Sequence, residues 1–254
     1  MADKSNITLY TAQTANGVKI SILLEELGLK YEIRTLDFSN NEQKSPWFLS
    51  INPNGRIPAL TDTFTDGKTI RVFESGAIMQ YLIDRYDTDH KVSYPRGSRE
   101  YYEMNSWVFW QMGGLGPMQG QLNHFLRNSP QKIEYAITRY ADETRRLYGT
   151  VDAQLRNSTS GYLVGDRCTI ADIICWGWIA CAYYSGVHLA TEFPVLEEWV
   201  QRMLARPGVE RGRHVPEPHT MLKYAKLSAD EIDAQAAEDI RRMTTGVAAS
   251  DGKD

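Results

Sequence analysis

The sequence predicts an α+β chain in which a βαβαββα domain precedes an all-helical one. Strand-like and helix-like segments alternate over residues 1–86, and strand signals then stop at the polar, turn-forming stretch 87–98. Helical periodicity takes over from residue 99 to about 204. A length of 254 residues allows one large domain or two small ones, and the change of pattern favours two.

Residues 7–10 form a short apolar run, and a polar turn leads from them into 18–27, whose apolar side chains recur at helical spacing until Gly28 supplies a stop. Residues 31–38 alternate apolar with polar, as a half-buried strand does, which completes a βαβ unit and implies parallel pairing. Residues 46–50 hold at most a short helical piece. A turn cluster at 52–55 runs into a strand containing Pro58, which cannot donate to a ladder, so that strand is an edge or is approached by something else. After the Asp66-Gly67 turn signal, residues 69–73 resume a strand and 74–86 form an amphipathic helix, which closes a small mixed sheet.

In the second half, Ile137, Tyr140, Ala141, Thr144, Leu147, Tyr148, Val151 and Leu155 mark one helix face. Thr169-Ile-Ala-Asp172 reads as a reciprocal cap at the start of a buried helix whose apolar stretch runs over 173–184. Beyond His214 the chain is Pro-interrupted and acidic, with one further helix start at Ser228 and a frayed end. No internal repeat or sustained heptad pattern is found.

Composition removes several functions. Apolar residues make up 42% of the chain, too many for intrinsic disorder. Lys plus Arg number 28 against 32 Asp plus Glu, without a basic run, so nucleic acid is not an expected partner. The apolar stretch at 173–184 is far shorter than the roughly 20 residues that span a bilayer, and no signal peptide is read at the amino terminus, so no membrane and a cytoplasmic location are expected. Three cysteines at spacings that fit neither disulfides nor zinc, and five scattered histidines, argue against a metal.

The segments Asn-Pro-Asn-Gly-Arg-Ile-Pro-Ala-Leu, Phe-Glu-Ser-Gly-Ala-Ile and Leu-Val-Gly-Asp-Arg-Cys-Thr-Ile-Ala-Asp, in this order over roughly residues 5–212, resemble the cytosolic glutathione transferases. Thr14-Ala-Asn-Gly17 and the stretch 107–121 are similar more narrowly to the nu-class bacterial enzymes and the fungal nitrogen-regulator-like transferases. The resemblance implies a thioredoxin-like glutathione-binding domain over 1–87, a helical domain over 99–213 carrying much of the second-substrate site, a polar, partly helical extension over 214–254, and a homodimer. It also implies that the proline at position 58 is cis, with the Ile57 backbone facing the cysteinyl part of glutathione, and that Gln43 and Arg56 meet the glycyl end. Arg139 matches an arginine that reaches glutathione across the dimer, although it also stands four residues before Glu143 and suits a solvated ion pair.

Glutathione offers an ammonium, two carboxylates and a thiol. Glu74 and Ser75 open a helix whose free amides and positive dipole end suit a carboxylate, while the Glu74 side chain suits the ammonium. A free thiol titrates near 8.5, so an enzyme must stabilise the thiolate to gain nucleophile. Asn16, just ahead of the helix at Gly17, is the first candidate to donate a hydrogen bond to sulfur, and Thr14 with its hydroxyl is the second. A plain helix cap is the alternative role for Asn16. Tyr10 falls within a strand and reads as core. The cysteines read as structural, so any redox chemistry runs on glutathione alone.

Trp110, Met112, Met118, His124 and Phe125 are the candidates for an apolar second-substrate pocket, with Gly113-Gly-Leu-Gly-Pro117 expected to break the helix beside them. The expected function is conjugation of glutathione to an electrophilic small molecule. Reduction of a disulfide or peroxide with glutathione, and a non-catalytic glutathione-binding regulator, stand as alternatives.

Overall fold

The computed structural model describes residues 6–238. The chain divides into two units. Within the described residues, one holds residues 6–89 together with Pro207–His219, and the other holds His90–Arg206 and residues 220–238.

The first unit is built on a four-stranded sheet of order β2-β1-β3-β4, made of β1 (Ile7–Thr11), β2 (Tyr31–Thr35), β3 (Ala59–Thr63) and β4 (Thr69–Phe73). β1 runs parallel to β2 and antiparallel to β3, and β3 runs antiparallel to β4, as the βαβ-then-hairpin order requires. The helices are α1 (Gly17–Leu27), the single turn α2 (Pro46–Leu49) and α3 (Ser75–Tyr86). Leu9, Ile20, Leu23, Leu24, Leu60 and Ile78 are fully buried and form the core. Gly28 stops α1 with φ 66°, the left-handed region in which glycine carries no Cβ penalty.

Two sequence expectations are corrected here. β2 is not half-buried: it is a sheet edge, and Ile33 is 47% exposed. The alternation of apolar and polar residues marked a strand correctly but said nothing of what covers it. β3 is not an edge strand, because it pairs on both sides. Pro58 lies just before its first residue, Ala59, so its missing N–H removes no ladder bond. The Ile57–Pro58 peptide is cis.

The segment Pro207–His219, which the sequence assigned partly to the helical domain and partly to the extension, packs with the first unit. Its helix α10 (Pro207–Gly212) lies against α1, and Ser21 Oγ donates to the Gly212 carbonyl at 2.7 Å. Arg211 Nε meets Glu25 at 2.7 Å. A Cβ on Gly212 would sit 2.6 Å from the Ile22 amide nitrogen, so the two helices approach as closely as they do because glycine stands there.

The second unit is helical: α4 (Arg99–Trp110), α5 (Gly116–Asn123), α6 (Glu134–Arg156), α7 (Ile170–Ile179), α8 (Leu189–Glu192) and α9 (Pro194–Leu204). The expected cap of α7 is present in full. Thr169 Oγ1 accepts from the Ala171 amide at 3.2 Å, and Asp172 accepts from the Thr169 amide at 3.0 Å. Asp172 also accepts from Leu163 N and Trp199 Nε1, which ties α7 to α9.

The glycine-rich run after α4 does not break the helix. The chain passes through a π-helical turn at Gln111–Leu115 directly into α5, a widened turn that keeps the backbone bonded. A Cβ on Gly116 or Gly120 would lie 3.2 Å from the Trp178 ring, so these glycines admit the indole of α7. The helix expected at Ser228 is also found: Ser228 Oγ accepts from the Glu231 amide while Glu231 accepts from the Ser228 amide, and the helix runs over 229–238. Tyr224 and Ile232 are buried, and Arg127 pairs with Asp233, so this stretch is packed. The end of the chain expected to fray lies outside the described residues.

Among the described residues no helix is long and apolar enough to cross a membrane, and no group of His, Cys, Asp or Glu is placed to hold a metal.

Candidate functional site

The sheet brings distant segments to one end. Thr11 closes β1 opposite Thr35, which closes the parallel β2, while Ala59, which opens β3, pairs with Tyr10 on one side and Phe73 on the other. The loop 12–16, the loop after β2, the turn before Ala59 and the residue after Phe73 therefore emerge together. Ligands of open α/β sheets are commonly met outside the carboxyl ends of the parallel strands.

A cleft of about 390 Å³ opens at this end, lined by Thr14, Asn16, Phe38, Gln43, Lys44, Gly55, Arg56 and Ile57. The sequence singled out Thr14, Asn16, Gln43, Arg56 and Ile57. It missed Phe38, read as the end of a strand, as well as Lys44 and Gly55, although Lys44 adjoins Gln43 and Gly55 adjoins Arg56. Gly55 has φ 61°, and a Cβ there would meet the Gln43 carbonyl at 2.8 Å and Lys44 Nζ at 2.9 Å, so only glycine lets the 52–56 turn close on residues 43–44. Buried Asn52 knits that turn: its Oδ1 accepts from the Asn54 amide at 2.9 Å and its Nδ2 donates to the Arg56 carbonyl at 2.6 Å.

The lining carries two cations, Lys44 and Arg56, and no carboxylate, so the cleft favours an anion. Gln43 Nε2 donates to Asn41 at 2.8 Å, whereas its Oε1 is buried without a donor among the described residues. A buried acceptor left in this way is costly until a ligand N–H or O–H reaches it.

At the other wall, α1 begins at Gly17 and directs its first amides and positive dipole end toward the loop. Thr14 Oγ1 accepts from the Gly17 amide at 3.0 Å, and the Asn16 side chain makes no capping bond. The cap role weighed for Asn16 thus belongs to Thr14. Tyr10 is packed near Trp47 and Phe48 with ring centroids 6.1 Å away, against the cluster of Leu36, Phe48 and Ala59, in keeping with a core residue.

Glu74 and Ser75 are not among the lining residues of the cleft. Glu74 follows Phe73 and so stands level with Pro58 across the β3–β4 pair, one residue outside α3 and not within it. It is exposed, with φ 69° and ψ 120°, a backbone conformation that non-glycine residues adopt only where the surroundings impose it. Ser75, the first residue of α3, is buried, and its Oγ accepts from Lys19 Nζ at 3.3 Å.

In the second unit a larger groove of about 700 Å³ is lined by Met118, Tyr135, Thr138, Arg139, Tyr140, Asp142, Glu143 and Arg146. Of the residues expected against a second substrate, Met118 lines it. Phe125 is stacked on Tyr140 at 5.8 Å and 6°, and His124 sits edge-on to Phe125 at 5.1 Å. Trp110 packs edge-on against Trp107 at 5.1 Å, and Met112 lies in the π-helical turn. The ion pair weighed for Arg139 is made by another residue: Glu143 meets Arg146 at 2.7 Å. That guanidinium holds the Glu143 carboxyl below the usual carboxylate range, and Arg139 adds to the effect through its charge. Although this groove is the larger, the thiol-handling candidates and the unsatisfied acceptor lie in the smaller cleft.

Cys168, Cys175 and Cys181 are free thiols and all buried, and burial pushes the Cys181 thiol up to about 12. A buried thiol of that kind is no nucleophile at neutral pH.

Residues 5–84 match the family described as Glutathione S-transferase, N-terminal domain, and residues 121–207 match Glutathione S-transferase, C-terminal domain. Together with the fold and the cleft, these matches place the chain in the glutathione S-transferase family. The chain is 42% identical to the disulfide-bond oxidoreductase YfcG of Escherichia coli, over 80% of this chain and 92% of that protein. It is 36% identical to the glutathione S-transferase-like protein tpcF of Aspergillus fumigatus, over 84% of this chain and 96% of that protein. Among solved structures, a glutathione transferase homolog of Lodderomyces elongisporus with two glutathione molecules per subunit is 42% identical, with a TM-score of 0.80 over 83% of this chain and 99% of that one.

Proposed function

We propose that the cleft binds glutathione and that Asn16, with Thr14 beside it, stabilises the glutathione thiolate for attack on a small-molecule electrophile. The observation that carries this is the convergence of Thr14, Asn16, Gln43, Arg56 and Ile57 on one cleft whose charge is positive. Lys44 and Arg56 suit the glycyl carboxylate, Gln43 Oε1 offers an acceptor to a peptide N–H, and Ile57 presents its backbone to the cysteinyl part. Glu74 takes the ammonium of the γ-glutamyl end and Ser75 its carboxylate, at the positive end of α3. Sulfur then lies by the start of α1, where the Asn16 amide and the helix dipole lower the cost of negative charge.

The thiolate of the first reading attacks carbon and yields a thioether, with Trp110, Met112, Met118, His124 and Phe125 receiving the electrophile. A second reading is favoured by the 42% identity to a disulfide-bond oxidoreductase and by the relatives solved with oxidised glutathione or with two glutathione molecules. In it the thiolate attacks one sulfur of a disulfide and expels the other as a thiol. A second glutathione then attacks the mixed disulfide, releasing the second thiol and oxidised glutathione, so that two electrons pass from two glutathiones to one disulfide. The burial of all three cysteines favours a route in which the protein's own sulfur takes no part. Free thiols also suit a reducing, cytoplasmic setting. We place the working protein as a homodimer, with Arg139 serving the neighbouring subunit's glutathione.

The test is a paired product assay on the purified protein with glutathione: mass spectrometry for thioethers from a panel of electrophiles, and a coupled assay for oxidised glutathione from disulfides and hydroperoxides. Thioethers support the first reading and oxidised glutathione the second. Binding with neither product would leave a regulator, and absence of binding would overturn the proposal.

A further inference from the structure

The loop 12–16 joins β1 to α1 and carries Thr14 and Asn16 onto the cleft lining. Its two ends are held locally. The Leu36 amide donates to the Thr11 carbonyl at 3.0 Å, and Thr14 takes the Gly17 amide on its hydroxyl and the Val18 amide on its carbonyl. Between these ends stands Gln13, which is half-buried and is not among the lining residues. Its Nε2 donates at 3.0 Å to the carbonyl of Arg213, 200 residues further along the chain. A carbonyl oxygen accepts from the NH2 end of the amide, so this bond also fixes which way the Gln13 side chain lies.

The acceptor is itself anchored. Arg213 follows α10, whose Gly212 carbonyl takes the Ser21 hydroxyl of α1 and whose Arg211 pairs with Glu25 of α1. The Arg213 guanidinium is drawn back onto Glu210 by two bonds of 2.7 and 3.0 Å, and its amide donates to the Val209 carbonyl at 2.9 Å. The loop is thus braced between two parts of one frame: α1, which it enters, and the end of α10, which is fastened to α1.

We infer that Gln13 is a positioning residue, which holds Thr14 and Asn16 against the sulfur of bound glutathione by tethering their loop to the segment after α10. This rests on the glutathione reading of the cleft. A donor stabilises a developing anion only within hydrogen-bond reach, so a small displacement of the loop forfeits thiolate stabilisation. The two ends of the peptide, assigned to Gln43, Lys44 and Arg56 and to Glu74 and Ser75, keep their contacts when the loop shifts.

Thiolate absorbance of bound glutathione, titrated against pH, tests this in the wild type, Gln13→Met, Asn16→Ala and their double variant. Calorimetric titration of S-methylglutathione, which keeps both ends of the peptide and has no thiol to ionise, accompanies it. Gln13→Met keeps the length and volume of the side chain and removes the donor, so the fold is retained. It is expected to raise the thiol midpoint by about one pH unit, a tenfold loss of thiolate, and to leave the affinity for S-methylglutathione within about twofold. Ser21→Ala, which loosens the anchor and leaves the loop intact, should raise the midpoint in the same direction by less. Ser98→Ala, which removes the cap of α4 in the other unit, should leave it unchanged. In the Asn16→Ala background, Gln13→Met should add little. An unchanged midpoint in Gln13→Met, an equal loss of S-methylglutathione affinity, a like rise in Ser98→Ala or full additivity in the double variant overturns the inference, while wild-type binding leaves the cleft's function standing. A wild type that binds no glutathione, or whose bound thiol titrates like the free peptide, overturns both.

Discussion

Thr14 Oγ1 accepts the amide hydrogen of Gly17 at 3.0 Å, so the first turn of α1 is capped two residues ahead of Asn16. This separates two jobs that the sequence left joined. Thr14 holds the helix end, and the Asn16 side chain, which makes no capping bond, sits on the cleft lining beside it.

Asn16→Ala is therefore expected to lower turnover at pH 7 by about a hundredfold to a thousandfold, the scale of losing one donor to a developing anion, while costing less stability than loss of the Thr14 cap. Loss of that donor raises the pKa of bound thiol, so the rise of rate with pH moves to higher pH. Thr14→Val should also cost about 1 kcal/mol of stability through the lost cap. Steady-state rates over pH 6–9 alongside denaturant midpoints check both; equal stability loss in the two variants would contradict the division of roles.

Glu74 is the N-cap of α3 at φ 69°, where glycine is at ease and glutamate is not. Glu74→Gly should thus gain up to about 1 kcal/mol in folding stability and, in the same molecule, lose glutathione affinity. Thermal unfolding and calorimetric titration of one preparation read both quantities. An unchanged affinity would show that the carboxylate does not meet the peptide.

The close approach of α10 to α1 predicts a contrast between two glycines. A methyl group on Gly212 meets the Ile22 backbone, which cannot give way as a side chain can, so Gly212→Ala should cost at least about 1–3 kcal/mol. Nothing lies within 4 Å of a Cβ on Gly28, and Gly28→Ala should cost only about 1 kcal/mol, for its positive φ. Urea midpoints of the two variants decide it.

Burial, reinforced by the nearby positive charges of Arg213 and His214, pushes the His219 imidazole down to about 4. A depressed folded-state value means that the folded protein resists protonation. The contribution to stability is complete above the unfolded value near 6.5 and is lost as pH falls toward 4. His219→Gln should flatten the fall in denaturant midpoint between pH 7 and pH 5; an identical fall in the variant would place the titrating group elsewhere.

Much of the fold is legible in the sequence because its signals are local. Gly28 after an apolar period, Thr169 three residues before Asp172, and Ser228 before Glu231 each fix an end of a helix through bonds made within a few residues. What lies beyond sequence is set by partners far along the chain. The exposure of β2 depends on what fails to cover it, and the glycines at 116 and 120 sit within α5, where they make room for the Trp178 ring, rather than breaking a helix. The cleft shows the same division. Asn16 and Arg56 stand beside helix and turn signals that point to them, whereas Phe38 and Lys44 have no local signature and join only where the sheet ends meet. Nothing in the helical pattern around Lys19 tells that it is buried against Ser75, which stands 56 residues further along the chain.

The most direct test of the whole account is the ionisation of bound glutathione, followed as thiolate absorbance near 240 nm during a pH titration of the wild-type complex. Stabilisation by the start of α1 and Asn16 predicts a midpoint at or below about pH 7, well under the value near 8.5 of a free thiol. A midpoint equal to that of free glutathione, with the peptide demonstrably bound, would contradict the claim that this cleft activates sulfur.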